Sequence, residues 1–318
     1  MNILVYGAGV IGSVYAARLQ EAGYNVTILA RGQRAVSLQT QGIVLEDAAT
    51  GQRTTTQVSV IDHLAATDSY NVVLVAVRMD QLASVLPDIA ANHQIPTVLF
   101  MLNNPAGMQR LESIEPQRVL LGFPSVGGTR QGEDIRYVLI QQQQTTMGEV
   151  NGQVTPRLEE LATAFKKAGF AVTLSSDMQS WLKTHAVFVA CVSAALATTE
   201  GDSIRLGHTR KSVVMMVKAI REGFKALQVQ GTSIAPFNLK LIFLWMPMWF
   251  AALYWQHAFR TTIGTLAMAP HANAAHDEMR LVARDVLAQL QMSSPSIPTL
   301  SHLLALLDSP VLTGNTKN

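Results

Sequence analysis

The chain has 318 residues, long for one core and comfortable for two domains. Its 24 Lys+Arg against 22 Asp+Glu form no long like-charge block, which argues against a nucleic-acid footprint. Charged residues make up only 14% of the chain, so much of its surface is apolar or buried. One cysteine, Cys191, excludes an internal disulfide and a multi-cysteine zinc site, and it fits a reducing, cytoplasmic setting.

The N-terminus carries no basic n-region or cleavage site and does not read as a signal peptide. It opens with a strand, Asn2–Tyr6, followed at once by Gly7-Ala8-Gly9-Val10-Ile11-Gly12 and then by the helix-forming Ser13-Val14-Tyr15-Ala16-Ala17-Arg18-Leu19. A strand feeding a G-x-G-x-x-G turn that opens a helix aims backbone N–H groups and the positive helix end at one spot, where a pyrophosphate can sit. Each glycine has its own task. Gly7 allows the tight turn, Gly9 lets the diphosphate approach backbone, and Gly12 lets helix and strand pack closely.

The second strand is expected over 25–30. It ends in Ala30-Arg31, where an NAD-binding chain places an acid on the ribose 2′-hydroxyl. An acid there repels a 2′-phosphate, whereas a guanidinium grips one, so the pattern favours NADP(H). Arg34 offers a second positive charge. The plainer alternative for Arg31 is a solvated loop residue.

Residues 42–60, with a turn signal at 47–51, read as an inserted β-ribbon. Further strands are expected over 72–77, 97–102 and Val119–Phe123, and β-propensity returns over 136–148, which includes the Gln tract 141–144. Thr155-Pro156 reads as an N-cap with proline at the first helical position, opening a helix that ends near Ala168-Gly169. A short strand over 171–174 follows, and then Ser176-Asp177-Met178-Gln179 has the capping-box form.

From there helical periodicity takes over. Helices are expected at 177–197, 210–229, 238–268 with a break at Pro247, 273–291 and 299–307, with loops at 198–208 and 230–236. The expected class is therefore α/β: an N-terminal Rossmann dinucleotide-binding domain over 1–176 and a C-terminal all-helical domain over 177–318, serving substrate binding and dimerisation. The apolar run 241–255, with Trp245, Trp249 and Trp255, is too short to span a bilayer and is interrupted by Pro247. It reads as interior or interface, with a monotopic membrane contact as the lesser alternative.

With these strings in view, the chain resembles the ketopantoate reductase family. The matching strings are residues 3–12, Val75-Ala76-Val77-Arg78-Met79-Asp80-Gln81-Leu82, Asn103, Met147-Gly148-Glu149-Val150-Asn151-Gly152 and Trp181-Leu182-Lys183. The resemblance implies an NADPH-dependent reductase of a 2-keto acid or related carbonyl, working in a cleft between the domains. It implies Lys183 as the general acid, where an ammonium stabilises and protonates the developing oxyanion; a surface lysine is the alternative. It also implies a cofactor-side charge at Arg78, where the family often has lysine. Asn103 stands at the nicotinamide or substrate carbonyl, or else caps a helix that begins near Pro105.

Departures accompany the match. Where the family pattern has asparagines four and eight residues after the lysine, this chain has Val187 and Cys191, and its substrate-holding carboxylate has no clear counterpart. Glu278 or His276 would have to replace it, although each reads better as an ordinary helix-surface group. His271 and His276 lack a third ligand at a recognisable spacing, so no metal is expected. The losses shift the substrate site from polar toward apolar, and toward a larger or more hydrophobic carbonyl compound than ketopantoate. Two rival readings remain open: an NADPH-binding sensor using residues 241–255 as its interface, and a true ketopantoate reductase with relocated anchors.

Overall fold

The computed structural model describes residues 1–140, 143–269, 272, 275–291 and 296–308. His271, the start of the Gln tract at 141–142 and the expected beginning of a helix at 273 lie outside the described residues. The chain divides into two compact units, Met1–Leu182 and Lys183–Asn318.

In the first unit, β1 (Asn2–Tyr6) runs parallel to β2 (Asn25–Leu29) on one side and to β6 (Val72–Val75) on the other. Four of the five residues of β1, and the same share of β2, are buried, as a sheet covered on both faces requires. β5 (Ser59–Ile61) extends the sheet beyond β2; β7 (Val98–Met101), β8 (Val119–Phe123), β11 (Thr145–Glu149) and β12 (Val172–Leu174) extend it beyond β6. The order is β12-β11-β8-β7-β6-β1-β2-β5, and only the β8–β11 pairing is antiparallel. β2, β6 and β7 each stop one or two residues short of the expected span.

The expected ribbon is built differently from its sequence pattern. β3 (Ile43–Asp47) and β4 (Arg53–Thr56) form the hairpin, closed by Gly51 N–H donating to the Asp47 carbonyl at 2.7 Å and by Asp47 Oδ1 accepting from Ala49 N–H at 2.8 Å. The segment after it leaves the hairpin, however, and pairs as β5 with β2. Two further strands, β9 (Val126–Gln131) and β10 (Asp134–Leu139), complete a second sheet of order β4-β3-β10-β9. β9 carries Gly127 and Gly128, which mask its strand character in sequence.

Helices cover the main sheet: α1 (Val10–Glu21), α2 (Gly32–Gln41), α3 (Leu82–Ala91) and α4 (Pro156–Lys167). Thr155 caps α4, its hydroxyl accepting from Leu158 N–H. Tyr15 of α1 stacks on Phe170 at 4.2 Å and shares a hydrogen bond of 2.6 Å with Thr145, which fastens α1 to the far side of the sheet.

α5 (Met178–Ala197) passes from the first unit into the second. Its cap is Asp177, whose Oδ1 accepts from Ser180 N–H at 2.9 Å, and not the expected Ser176. α5 is long and apolar enough to cross a membrane, but most of it is buried inside the protein, as in a core helix.

The described elements of the second unit are helical: α6 (Ser203–His208), α7 (Arg210–Val229), α8 (Phe237–Lys240), α9 (Met248–Phe259), α10 (His276–Gln291) and α11 (Pro298–Ala305). α6 lies where the Gly-, Ser- and Thr-rich composition suggests a loop; Asp202 nucleates it by accepting from Arg205 N–H. The expected 238–268 helix breaks at Pro247 and again after Phe259, with wide π-type turns at Leu241–Trp245 and Ile263–Met268.

Candidate cofactor and active site

Parallel strands put the C-terminal ends of β7, β6, β1 and β2 side by side on one sheet edge, and Asn103, Arg78, the glycine turn and Arg31 follow those four strands in that order. The chain leaves β1 toward β2 and returns to β6 on the other flank, so a topological switch point opens above β1, the position where such sheets take nucleotides.

The three glycines of the turn have different surroundings. Gly7 has φ +114°, and a Cβ there would sit 2.6 Å from the Ala76 carbonyl oxygen. A Cβ on Gly12 would meet the Gly7 carbonyl oxygen at 1.9 Å, whereas a Cβ on Gly9 would have no atom within 4 Å. Gly7 and Gly12 are thus demanded by the protein's own packing. Gly9 faces open space at the N-terminus of α1, where the first helical N–H groups, from Val10 and Ile11 onward, lack helical partners. This cradle fits the diphosphate of a dinucleotide: bare backbone donors with no side chain in the way. Within the turn, the Ala8 carbonyl accepts from Ser13 Oγ at 3.3 Å.

Arg31 stands just after β2 with 57% of its side chain exposed. Its Nε donates to the Asp62 carbonyl at 3.1 Å, and its Nη2 donates to the Tyr6 hydroxyl at 3.1 Å and to Asp88 Oδ2 at 3.2 Å. Arg34, read from sequence as a spare positive charge, is spent inside the protein. Its Nε donates to the Ala8 carbonyl, its Nη2 to Ser13 Oγ, and its Nη1 to both the carbonyl and the carboxylate of Glu133. Arg34 holds the Glu133 carboxyl below its usual range, so the two charges neutralise each other. Arg34 therefore braces the glycine turn. Arg78 is half-exposed and pairs with Asp80 through Nε and Nη2, at 3.1 and 2.9 Å.

Asn103 is 5% exposed at the end of β7. It does not cap a helix at Pro105: that segment is a 3-10 turn, Gly107–Leu111, and the loop is held by Asn104, whose Nδ2 donates to the Gly107 carbonyl at 2.9 Å. The Met147–Gly152 string serves packing. A Cβ on Gly148 or Gly152 would lie 2.2 Å from the Ser175 or Ser176 carbonyl oxygen, and Glu149 is buried with Arg157 and Thr155 donating to it. Trp181 likewise packs on Phe123, with ring centroids 5.1 Å apart.

Lys183 is the sixth residue of α5 and the first of the second unit, with intermediate exposure. One and two steps of four further on, Val187 and Cys191 are fully buried, at 1% and 0% exposure. Val187 packs on α7, where a Cβ on Gly223 would meet its Cγ1 at 2.6 Å, and burial pushes the Cys191 thiol far up. The family pattern places these two at the substrate site; within the helical unit they are core. Glu278 is also buried, in the first turn of α10. Neither it nor His276, which begins the same helix, is the ordinary surface group of the plainer reading: the Nε2 of His276 is buried as well.

The apolar run 241–255 is split in fate. Phe243 and Trp255 stack in the interior at 5.7 Å, while Trp245, Trp249, Phe250, Leu253 and Tyr254 stay 40–59% exposed. Much of the run is therefore surface and not interior.

Residues 3–152 match the family described as ketopantoate reductase PanE/ApbA. Among curated relatives, an uncharacterized oxidoreductase, YkpB, of Bacillus subtilis (strain 168) is 26% identical over 192 residues, covering 60% of this chain and 62% of that protein. A 2-dehydropantoate 2-reductase of Mesorhizobium japonicum is 28% identical over 208 residues, covering 58% of this chain and 63% of that protein. The chain thus spans just under two thirds of these two relatives.

The ketopantoate reductase fold extends through both units. The crystal structure of 2-dehydropantoate 2-reductase from Geobacter metallireducens GS-15 superposes with a TM-score of 0.78 at 16% identity, covering 97% of this chain and 99% of that one. D-mandelate dehydrogenase, solved with NADH and anilino(oxo)acetate, superposes equally well at 14% identity, with 97% of both chains covered. Sequence reading missed Tyr6, Asp62 and Asp88, which hold Arg31. Their only sequence signal is a tyrosine directly before the glycine turn.

Proposed function

We propose that the protein is an NADPH-dependent reductase of a 2-keto acid or a related carbonyl compound, with a substrate site altered from that of ketopantoate reductases. The observation that carries this reading is the sheet edge itself: a glycine cradle open at Gly9, with Arg31 where an acid would select NADH. A reduced nicotinamide supplies a hydride to the carbonyl carbon.

The chain's residues do the rest. Backbone N–H groups at the start of α1 hold the diphosphate, with Gly7, Ala8, Gly9, Val10, Ile11 and Gly12 shaping the cradle. Arg31 takes the 2′-phosphate through its exposed side, and Arg78 adds charge at the neighbouring strand end. Asn103 orients the nicotinamide or the carbonyl. Lys183 donates the proton that neutralises the alkoxide, an ammonium being suited both to stabilise the growing charge and to quench it. The family resemblance favours NADPH, while the same fold takes NADH in D-mandelate dehydrogenase, so the preference rests on Arg31.

The lack of a clear counterpart to the family's substrate-holding carboxylate supports a substrate site altered from that of ketopantoate reductases. A panel of 2-keto acids and hydrophobic ketones, read by NADPH oxidation, tests both parts. Turnover of a hydrophobic keto acid well above that of ketopantoate supports the altered site, and ketopantoate turnover near the typical enzyme rate of about 10 per second overturns it.

A second reading keeps the cofactor and drops the chemistry: an NADPH-binding sensor whose partner, or second copy, covers the exposed Trp245, Trp249 and Leu253. Tight NADPH binding with no oxidation across the panel would favour it.

A further inference from the structure

Arg31 is pinned by residues from three other parts of the first unit: Tyr6 at the end of β1, Asp62 just after β5 and Asp88 on α3. The pin is internally braced, because the Tyr6 hydroxyl donates to the same Asp88 Oδ2 at 2.7 Å. Burial, and then Asp88, push the Tyr6 phenol up to about 12, so it stays a neutral donor at every working pH. These bonds use Nε and one side of Nη2. No described residue accepts from Nη1, so that side of the guanidinium still faces outward.

We propose that Asp88 is a specificity-determining residue: its carboxylate holds Arg31 in place and, by its charge, limits how strongly Arg31 prefers a 2′-phosphate over a bare ribose. The inference rests on Arg31 being the 2′-phosphate clamp. A phosphate held at Nη1 feels the guanidinium, but also a carboxylate 3.2 Å behind it. The pair is therefore close to neutral as seen by a dianion, and much of the attraction that an unpaired arginine would supply is cancelled. NADH has no charge at this position and is indifferent to the balance. Specificity is a difference between two affinities, and a repulsive group is an ordinary way to set it.

Alternative roles for the carboxylate predict otherwise. Were Asp88 only a scaffold, its removal would loosen Arg31 and weaken NADPH. Asp88→Asn separates the two, since the amide oxygen still accepts from Tyr6 and Arg31 while the charge is gone. The residue is 36% exposed, so the fold tolerates the change; Asp88→Ser serves as a second neutral variant.

The experiment measures dissociation constants of NADPH and NADH for the full chain, Asp88→Asn, Asp88→Ser and Arg31→Ala at low and high salt. The expected result is NADPH binding tightened on the order of tenfold in the neutral variants, shrinking as salt rises, with NADH changed less than twofold. NADPH binding that is unchanged or weaker in both neutral variants overturns the proposal, as does an equal change for both cofactors. Arg31→Ala separates the two levels of the argument. If it leaves the NADPH-to-NADH ratio unchanged, the clamp reading falls and Asp88 with it. If it lowers the ratio while the neutral variants fail to raise it, only the role of Asp88 falls.

Discussion

Gly12 packs directly on the carbonyl of Gly7: a Cβ on Gly12 would lie 1.9 Å from that oxygen, while the intervening Gly9 has no atom within 4 Å of its own Cβ position. The turn thus contains glycines of two kinds. Gly12→Ala is expected to lower stability by about 1–3 kcal/mol, the range for overpacking, with or without cofactor. Gly9→Ala should leave the denaturation midpoint of the cofactor-free protein unchanged and weaken dinucleotide binding. Urea unfolding and a binding titration of both variants check this, and a Gly9→Ala protein with normal NADPH affinity contradicts the cradle.

Arg31→Ala should weaken NADPH by roughly 1.5–3 kcal/mol, the range for a hydrogen bond to a charged group, and leave NADH nearly unchanged. Equal losses for both would mean that Arg31 supports the site's structure through Tyr6 and Asp88 without contacting the cofactor.

Lys183→Ala is expected to reduce turnover by about 10²–10⁴-fold on whichever carbonyl substrate proves active, with little effect on NADPH affinity. A loss below tenfold would reassign the lysine to an ordinary place on α5. A sensor without catalysis has no turnover to lose.

Val187 and Gly223 interlock within the helical unit. Val187→Asn, which restores the family's residue type, is expected to cost about 1–3 kcal/mol because the amide is buried without a ready partner. An unchanged thermal midpoint would mean that this face of α5 opens to solvent or substrate.

Acid sensitivity should appear through Glu149. Burial raises its carboxyl, but donation from Arg157 and Thr155 outweighs this and holds it below 4.5. A carboxyl depressed in the folded state contributes stability that is complete above the unfolded value and is lost as pH falls through the folded one. Stability should therefore decline below about pH 4.5, and Glu149→Gln should flatten that decline while costing about 1.5–3 kcal/mol at neutral pH. Denaturation midpoints between pH 3 and pH 7 give the comparison.

The sequence by itself determined the glycine turn, the class of fold, the cap at Thr155 and the arginine where an acid would stand. All of these rest on residues close in sequence, whose spacing alone sets a dihedral, a cap or a strand end. It did not reveal that the strand after the ribbon joins β2, that Arg34 is neutralised by Glu133, or that Val187 and Cys191 are core. Nor did it reveal the pin on Arg31, since Asp88 lies 57 residues from Arg31 and 82 from Tyr6. Such contacts are decided only when parallel crossovers bring strand ends and helix faces together, and no local pattern records which charges then meet.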